Sequence, residues 1–314
     1  RNYYEMIKAV QPDRVALIED ERIYTYGDII RQADVVSDRY KGILAGSPEK
    51  NICTGNSEKN VAAELGSVII LENDICLIVK DTVALELVYF IGIMKTGKVP
   101  VICGGYPDNE ELDTIKSIEV PHGAVMGVMT SGTTGSSKVL FRTMESWADY
   151  FPVQNKLFSM GGDTVLFTHG SLSFTGNLNL YMGLMHDGGR IVTTRKFDPR
   201  YWAKCIDENY VNYIYLIPVK MMALVKSYSK AGGQADNICN AAIKHYITGS
   251  QSFGAEEAAR VKRIFPECDM LVYYGASEIN YITYLTDREF TEDSRLVGRP
   301  FPEVDVSIED DVFV

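Results

Sequence analysis

The chain has 314 residues, 46% of them hydrophobic and 23% charged, with a formal net charge of −11. That composition is ordinary for a globular protein long enough to bury a sizeable core, about one large domain or two. It supplies no basic face or arm for nucleic acid, and no apolar run reaches the ~18 residues that a membrane span needs.

Residues 2–10 read as a short helix. Val15–Glu19 and Arg22–Thr25 flank the acidic turn Asp20-Glu21 and read as a hairpin. Tyr26-Gly27-Asp28 opens a helix to about Tyr40, apolar at Ile29, Ile30, Ala33 and Val36. Residues 74–80 then read as a strand, 83–95 as a helix and 99–103 as a second strand, a βαβ unit that implies parallel pairing. After β-rich runs at 124–129 and 139–141 the pattern recurs. Helices are expected at 146–158, 178–186, 199–208, 218–228 and 255–265. Strands are expected at 164–168, 190–193, 213–216, 244–248 and 270–274. Pro218 stands in the first turn of its helix, where the missing N–H is harmless. From about residue 292 the texture changes to short β-like pieces, with 304–308 the clearest. The expected class is α/β: two stacked βαβ-type lobes with mostly parallel sheets, at about 1–123 and 124–291, and the start of a small β-rich subdomain at 292–314.

The six cysteines are scattered without a C-x-x-C pair, and the four histidines stand apart, so no zinc pattern is present. Buried thiols in a reducing compartment and a cytoplasmic location are the expectation.

Two stretches concentrate chemistry. The first is Thr130-Ser131-Gly132-Thr133-Thr134-Gly135-Ser136-Ser137-Lys138. Its glycines allow close backbone approach, its N–H groups and hydroxyls donate to anions, and Lys138 adds a point charge, which makes a polyphosphate cradle. A phosphate loop of the G-x-x-x-x-G-K-[ST] type runs into a helix, whereas Val139-Leu140-Phe141 prefers a strand. The bland alternative is a Ser/Gly-rich hairpin turn carrying a chance lysine. The second stretch is Tyr273-Tyr274-Gly275-Ala276-Ser277-Glu278, at the carboxyl end of an expected strand, where open α/β sheets bind ligands. A ring, a hydroxyl and a carboxylate there suit a base, a phosphate and Mg²⁺, although alone the glutamate reads as a solvated charge.

Together, in this order, the two stretches resemble the adenylate-forming (AMP-binding) superfamily: acyl- and aryl-CoA ligases, amino-acid-activating domains of peptide synthetases, and luciferases. Supporting matches are Ile23-Tyr24-Thr25-Tyr26-Gly27-Asp28, Met94-Lys95-Thr96-Gly97-Lys98-Val99-Pro100-Val101, Ile217-Pro218-Val219, Thr248-Gly249-Ser250-Gln251 and Gly298-Arg299-Pro300-Phe301-Pro302. The resemblance spans nearly the whole sequence.

What the resemblance implies is specific. Thr130, Ser131, Gly132, Thr133, Thr134, Gly135 and Lys138 would contact the β- and γ-phosphates of ATP. Gly249, Ser250 and Gln251 would line the adenine with Tyr274 stacked on it beside Gly275. Ser277 would reach the α-phosphate and Glu278 would ligate Mg²⁺; with Thr134 and Lys138 these make the expected catalytic set. His169, Ser173, Phe174 and Gly176 match the segment that walls the acid pocket, His169 equally well as a structural histidine. The reaction implied is attack of a carboxylate on ATP, giving an acyl-adenylate and pyrophosphate, then transfer to the thiol of CoA or of a phosphopantetheine on an acyl-carrier protein.

Ser137 and Val139 replace the family's usual Pro and Gly, which alters loop stiffness more than its chemistry. The family's ribose-binding aspartate, hinge and mobile C-terminal domain have no counterpart within this sequence. Residues 167–176 contain no Asp or Glu to meet a substrate ammonium, which favours a fatty, short-chain or aryl acid over an amino acid. An amino-acid-activating module and a non-catalytic nucleotide- or acyl-binding module are the alternatives.

Overall fold

A computed structural model of the chain describes residues 2–45, 68–130, 138–230, 242–291, 296–309 and 312–313. The chain divides into two compact units, residues 1–154 with 170–188, and residues 155–169 with 189–314.

In the first unit, α1 (Tyr3–Lys8) is capped by Asn2, whose side chain accepts from the Glu5 N–H at 3.0 Å. The β1 (Val15–Glu19) and β2 (Arg22–Thr25) hairpin forms as expected. It leads into α2 (Tyr26–Ala45), where Asp28 accepts from the N–H and hydroxyl of Thr25, both at 2.9 Å. A five-stranded sheet follows in the order β3 (Val68–Ile70), β4 (Ile75–Ile78), β5 (Val99–Ile102), β6 (Met126–Thr130) and β7 (Lys138–Arg142). Strands β4, β5 and β6 are parallel, with α3 (Val83–Lys95) between β4 and β5. Helix α3 is apolar nearly all round and therefore buried. It lies so close to α2 that a Cβ on Gly92 would come within 2.7 Å of the Ala33 carbonyl oxygen. Its N-terminus is closed by β1's last residue: Glu19 accepts from the Val83 and Ala84 N–H groups at 2.8 Å each. Because β6 pairs with β5, the β6–β7 hairpin belongs to this unit rather than opening a second lobe at residue 124. Helix α4 (Asn109–Lys116), with its Asp108–Glu111 capping box, was not expected.

The expected helix at 146–158 is a 3-10 turn, Ala148–Tyr150, followed by α5 (Phe151–Leu157). Helix α6 (Thr175–His186) is held in the first unit by Tyr3, whose hydroxyl donates to the Met182 carbonyl at 2.6 Å.

In the second unit, β9 (Arg190–Thr194), β8 (Val165–His169), β10 (Tyr213–Tyr215), β11 (His245–Thr248) and β12 (Asp269–Ala276) run parallel in that spatial order. Helices α7 (Pro199–Glu208), α8 (Pro218–Lys230) and α9 (Ala255–Ile264) alternate with them. The antiparallel β13 (Asn280–Thr286) and β14 (Arg299–Pro300) extend the β12 edge. Of the expected strand at 304–308 only Ile308 is in a strand, β15 (Ile308–Glu309), which pairs with β16 (Val312–Phe313).

Cys76, Cys103 and Cys268 are buried thiols pushed up to about 12 by burial, as befits inert packing groups. Cys53 and Cys239 lie outside the described residues. No helix among the described residues is long and apolar enough to cross a membrane.

Candidate functional site

Strands β6 and β7 pair antiparallel through five registered positions, ending with Thr130 opposite Lys138. The residue after Lys138 therefore continues a strand, which removes the helix that a nucleotide-hydrolase phosphate loop requires. Thr130 is half-buried and Lys138 exposed at the mouth of the hairpin. Ser131, Gly132, Thr133, Thr134 and Gly135 lie outside the described residues.

Elsewhere in the first unit, Ser173, Phe174 and Gly176 lead into and begin α6, where Phe174 is the N-cap and 42% exposed. Their placement depends on a residue that sequence reasoning missed. Glu86, fully buried in α3, accepts from the Ser171 hydroxyl at 2.6 Å and the Leu172 N–H at 2.8 Å. Ser171 in turn bonds Ser173, hydroxyl to hydroxyl, at 2.9 Å. A Cβ on Gly104, just past β5, would lie 3.5 Å from the Ser173 hydroxyl, so that segment sits at the carboxyl end of β5. A lone glutamate in an otherwise apolar helical run was the available signal.

In the second unit, Gly249-Ser250-Gln251 leaves the carboxyl end of β11 beside Tyr273 and Tyr274 of β12. Gly249 is needed for contact: a Cβ there would fall 2.7–2.9 Å from three ring atoms of Tyr273. Ser250 takes a positive φ of 67°, uncommon outside glycine. The Gln251 side-chain oxygen accepts from the Val219 N–H at 3.2 Å, closing the first turn of α8. The two adjacent tyrosines point oppositely, as a strand demands. Tyr273 is buried, its hydroxyl 2.9 Å from that of Tyr215, whereas Tyr274 is 55% exposed. Ser250, Gln251, Phe253, Tyr274, Gly275 and Phe290 share a cavity of about 450 Å³, within the size range of small-ligand sites.

Ser277 and Glu278 do not line that cavity. The expected strand end at Tyr274 is corrected here: β12 continues to Ala276 and returns as β13, so both residues occupy a hairpin turn. Asn280-Tyr281-Ile282-Thr283-Tyr284-Leu285-Thr286 is rich in β-branched and aromatic residues, so the missed strand was legible. Ser277 is half-buried and Glu278 exposed.

His169 ends β8 and packs against Trp202 (ring centroids 4.7 Å apart) and Phe197 (5.8 Å). Burial, aided by the nearby Lys220 charge, pushes its pKa down to about 4 against the partial support of the backbone at Arg195 and Lys196. It is therefore a neutral imidazole at pH 7.

The model of the AMP-binding enzyme family matches residues 71–312, more than half of the chain. The chain belongs to that family. Curated relatives of the chain include an uncharacterized acyl-CoA ligase, YhfT of Bacillus subtilis, 23% identical over 71% of the chain and 45% of the relative. Another is VraA of Staphylococcus epidermidis, a putative long chain fatty acid-CoA ligase, 20% identical over 95% of the chain and 62% of the relative. The chain thus spans only about half to three-fifths of their lengths. Among solved structures, VinN in complex with L-aspartate superposes with a TM-score of 0.75 at 13% identity, over 98% of this chain and 84% of that one.

The donor chemistry of the described residues fits the ligands that the family implies. A half-exposed tyrosine ring beside a cavity offers a stacking face to a base. Among the described residues no group of three His, Cys, Asp or Glu could hold a metal, so a Mg²⁺ at Glu278 would have at most one further ligand of those types from them. Phosphate and water oxygens would complete its shell, a donor set that Mg²⁺ commonly takes.

Proposed function

We propose that this AMP-binding enzyme activates a carboxylic acid lacking an amino group by attack on the α-phosphorus of ATP. The bond to pyrophosphate breaks, and the acyl-adenylate then passes its acyl group to the thiol of CoA or of a carrier-bound phosphopantetheine, releasing AMP. The observation that carries the reading is the joint placement of Ser250, Gln251, Tyr274 and Gly275 around one cavity at the carboxyl ends of β11 and β12. The family's acyl-CoA ligase relatives support the same reaction class.

Attacker and target are both anionic, so the protein's task is to align and neutralise them, and no side-chain nucleophile is needed. In this reading the adenine stacks on Tyr274 beside Gly249, Ser250 and Gln251. The Thr130–Lys138 segment holds the β- and γ-phosphates. Ser277 donates to the α-phosphate. His169, Ser173, Phe174 and Gly176 wall the acid. Mg²⁺ at Glu278 would offset charge developing on the leaving pyrophosphate.

An ATP–pyrophosphate exchange panel on the full-length gene product tests this. Exchange stimulated by carboxylic acids without an amino group is expected, followed by acyl-thioester formation with CoA or a carrier protein. Exchange driven only by amino acids would overturn it.

A further inference from the structure

Lys220 is the third residue of α8, half-buried, and its Nζ donates to the His169 carbonyl at 3.3 Å. Among the described residues no carboxylate pairs with it. Other partly buried lysines of this chain are compensated. Lys95 meets Asp34 at 2.6 Å, Lys98 meets Asp74, Lys262 meets Asp287 at 3.0 Å, and Lys80 lies 3.6 Å from the centre of the Tyr89 ring.

Two further circumstances oppose a cation at this place. It stands in the first turn of a helix, where the aligned peptide dipoles present positive charge. Burial already pulls the ammonium below its ordinary pKa, and it acts against protonation of His169 as well. A cation kept here without a counter-charge lacks a structural reason within the described fold.

Its position supplies a functional one. The first turn of α8 follows β10 and lies at the carboxyl edge of the parallel sheet, the edge where such sheets take ligands. On one side is His169, from the segment read as acid-pocket wall; on the other, Val219 is tied to Gln251 of the nucleotide loop. The phosphates have their own expected partners at Thr130–Lys138 and Ser277. Placing a plain alkyl chain against Lys220 would strip water from an uncompensated charge, and a substrate ammonium would meet a like charge.

We infer that Lys220 is a specificity residue receiving a second anionic group on the acyl substrate, so that the preferred acid is a dicarboxylate or similarly doubly acidic molecule. The inference rests on the acid-activation reading above and narrows its substrate class.

The test compares acids matched in length, pentanoate with glutarate and heptanoate with pimelate, in ATP–pyrophosphate exchange by the full-length protein. Wild type should favour the dicarboxylates. Lys220→Met keeps the bulk of the stem, and should reduce the dicarboxylate-to-monocarboxylate ratio of kcat/KM by about 10- to 100-fold, the range of one charge-assisted hydrogen bond. Lys220→Arg should restore much of the ratio. A wild-type preference for monocarboxylates, or an unchanged ratio in Lys220→Met, overturns the inference. A raised ATP Kd in Lys220→Met with an unchanged ratio assigns the cation to a nucleotide phosphate and also overturns it. Calorimetric binding of glutarate and pentanoate to wild type and Lys220→Met separates the two readings. Glutarate binding that depends on Lys220, without exchange by any acid, overturns the activity and keeps the specificity role.

Discussion

Gly249→Ala probes the contact on which the β11–β12 end of the site is built. The new Cβ would lie 2.7 Å from the Tyr273 Cζ, and 2.8 and 2.9 Å from its two Cε atoms. That is roughly 0.8 Å inside the ~3.5 Å at which carbon contacts become favourable. The ring has little room to retreat. Its hydroxyl is bonded to Tyr215, Tyr281 stands edge-on with centroids 5.1 Å apart, and Phe158 packs beside it at 6.4 Å. Overpacking of this kind should cost about 1–3 kcal/mol. Any shift of Tyr273 is passed through the backbone to Tyr274, which faces the cavity, so nucleotide affinity should fall by about tenfold or more. Urea denaturation and titration with a fluorescent ATP analogue on the full-length protein read the two effects. Tyr273→Leu in the same background removes the obstructing ring and should shrink the cost of Gly249→Ala, a coupling a double-mutant cycle measures. A Gly249→Ala protein with wild-type urea midpoint and nucleotide affinity would refute the argument, as would strict additivity in the cycle.

Gly298 has φ +86°, and a Cβ there would overlap the Tyr284 carbonyl oxygen, so Gly298→Ala should cost about 3 kcal/mol or more, read as a fall in Tm. Glu86→Ala leaves the Leu172 N–H and the Ser171 hydroxyl without their acceptor; it should cost about 1.5–3 kcal/mol in urea melts and raise the KM for the acid while the ATP Kd stays unchanged. His169 is held neutral with a folded pKa of about 4, below its unfolded ~6.5, so the unfolded chain binds more protons between those values. Stability should therefore be complete above about pH 6.5 and decline toward pH 4, and His169→Phe should flatten that part of the profile; an unchanged slope would show that other groups set it.

Local structure was legible wherever one segment carried its own signal. The Val83–Lys95 helix, the Pro199–Glu208 helix with proline in its first turn, and the strand after Lys138 follow from periodicity, capping chemistry and β-propensity within a few residues. The composite of loop and Y-G-x-[ST]-E motif also identified the family, because its spacing is written along the chain. The sequence alone thus determined the α/β class, the β character of the runs on either side of residues 131–137 and the family.

Only the tertiary structure decided what holds those residues and what faces them. It bends the chain back after Ala276, so that Ser277 and Glu278 sit in a hairpin turn. It sets Gly249 against the Tyr273 ring, 24 positions along the chain, ties Ser171 to Glu86, 85 positions away, and leaves Lys220 beside His169 with no acid among the described residues. Each is a contact between groups far apart in sequence, fixed by sheet register and helix packing. Propensity and spacing act over one or two turns and carry no information about which distant side chain, or which missing counter-charge, a residue will meet.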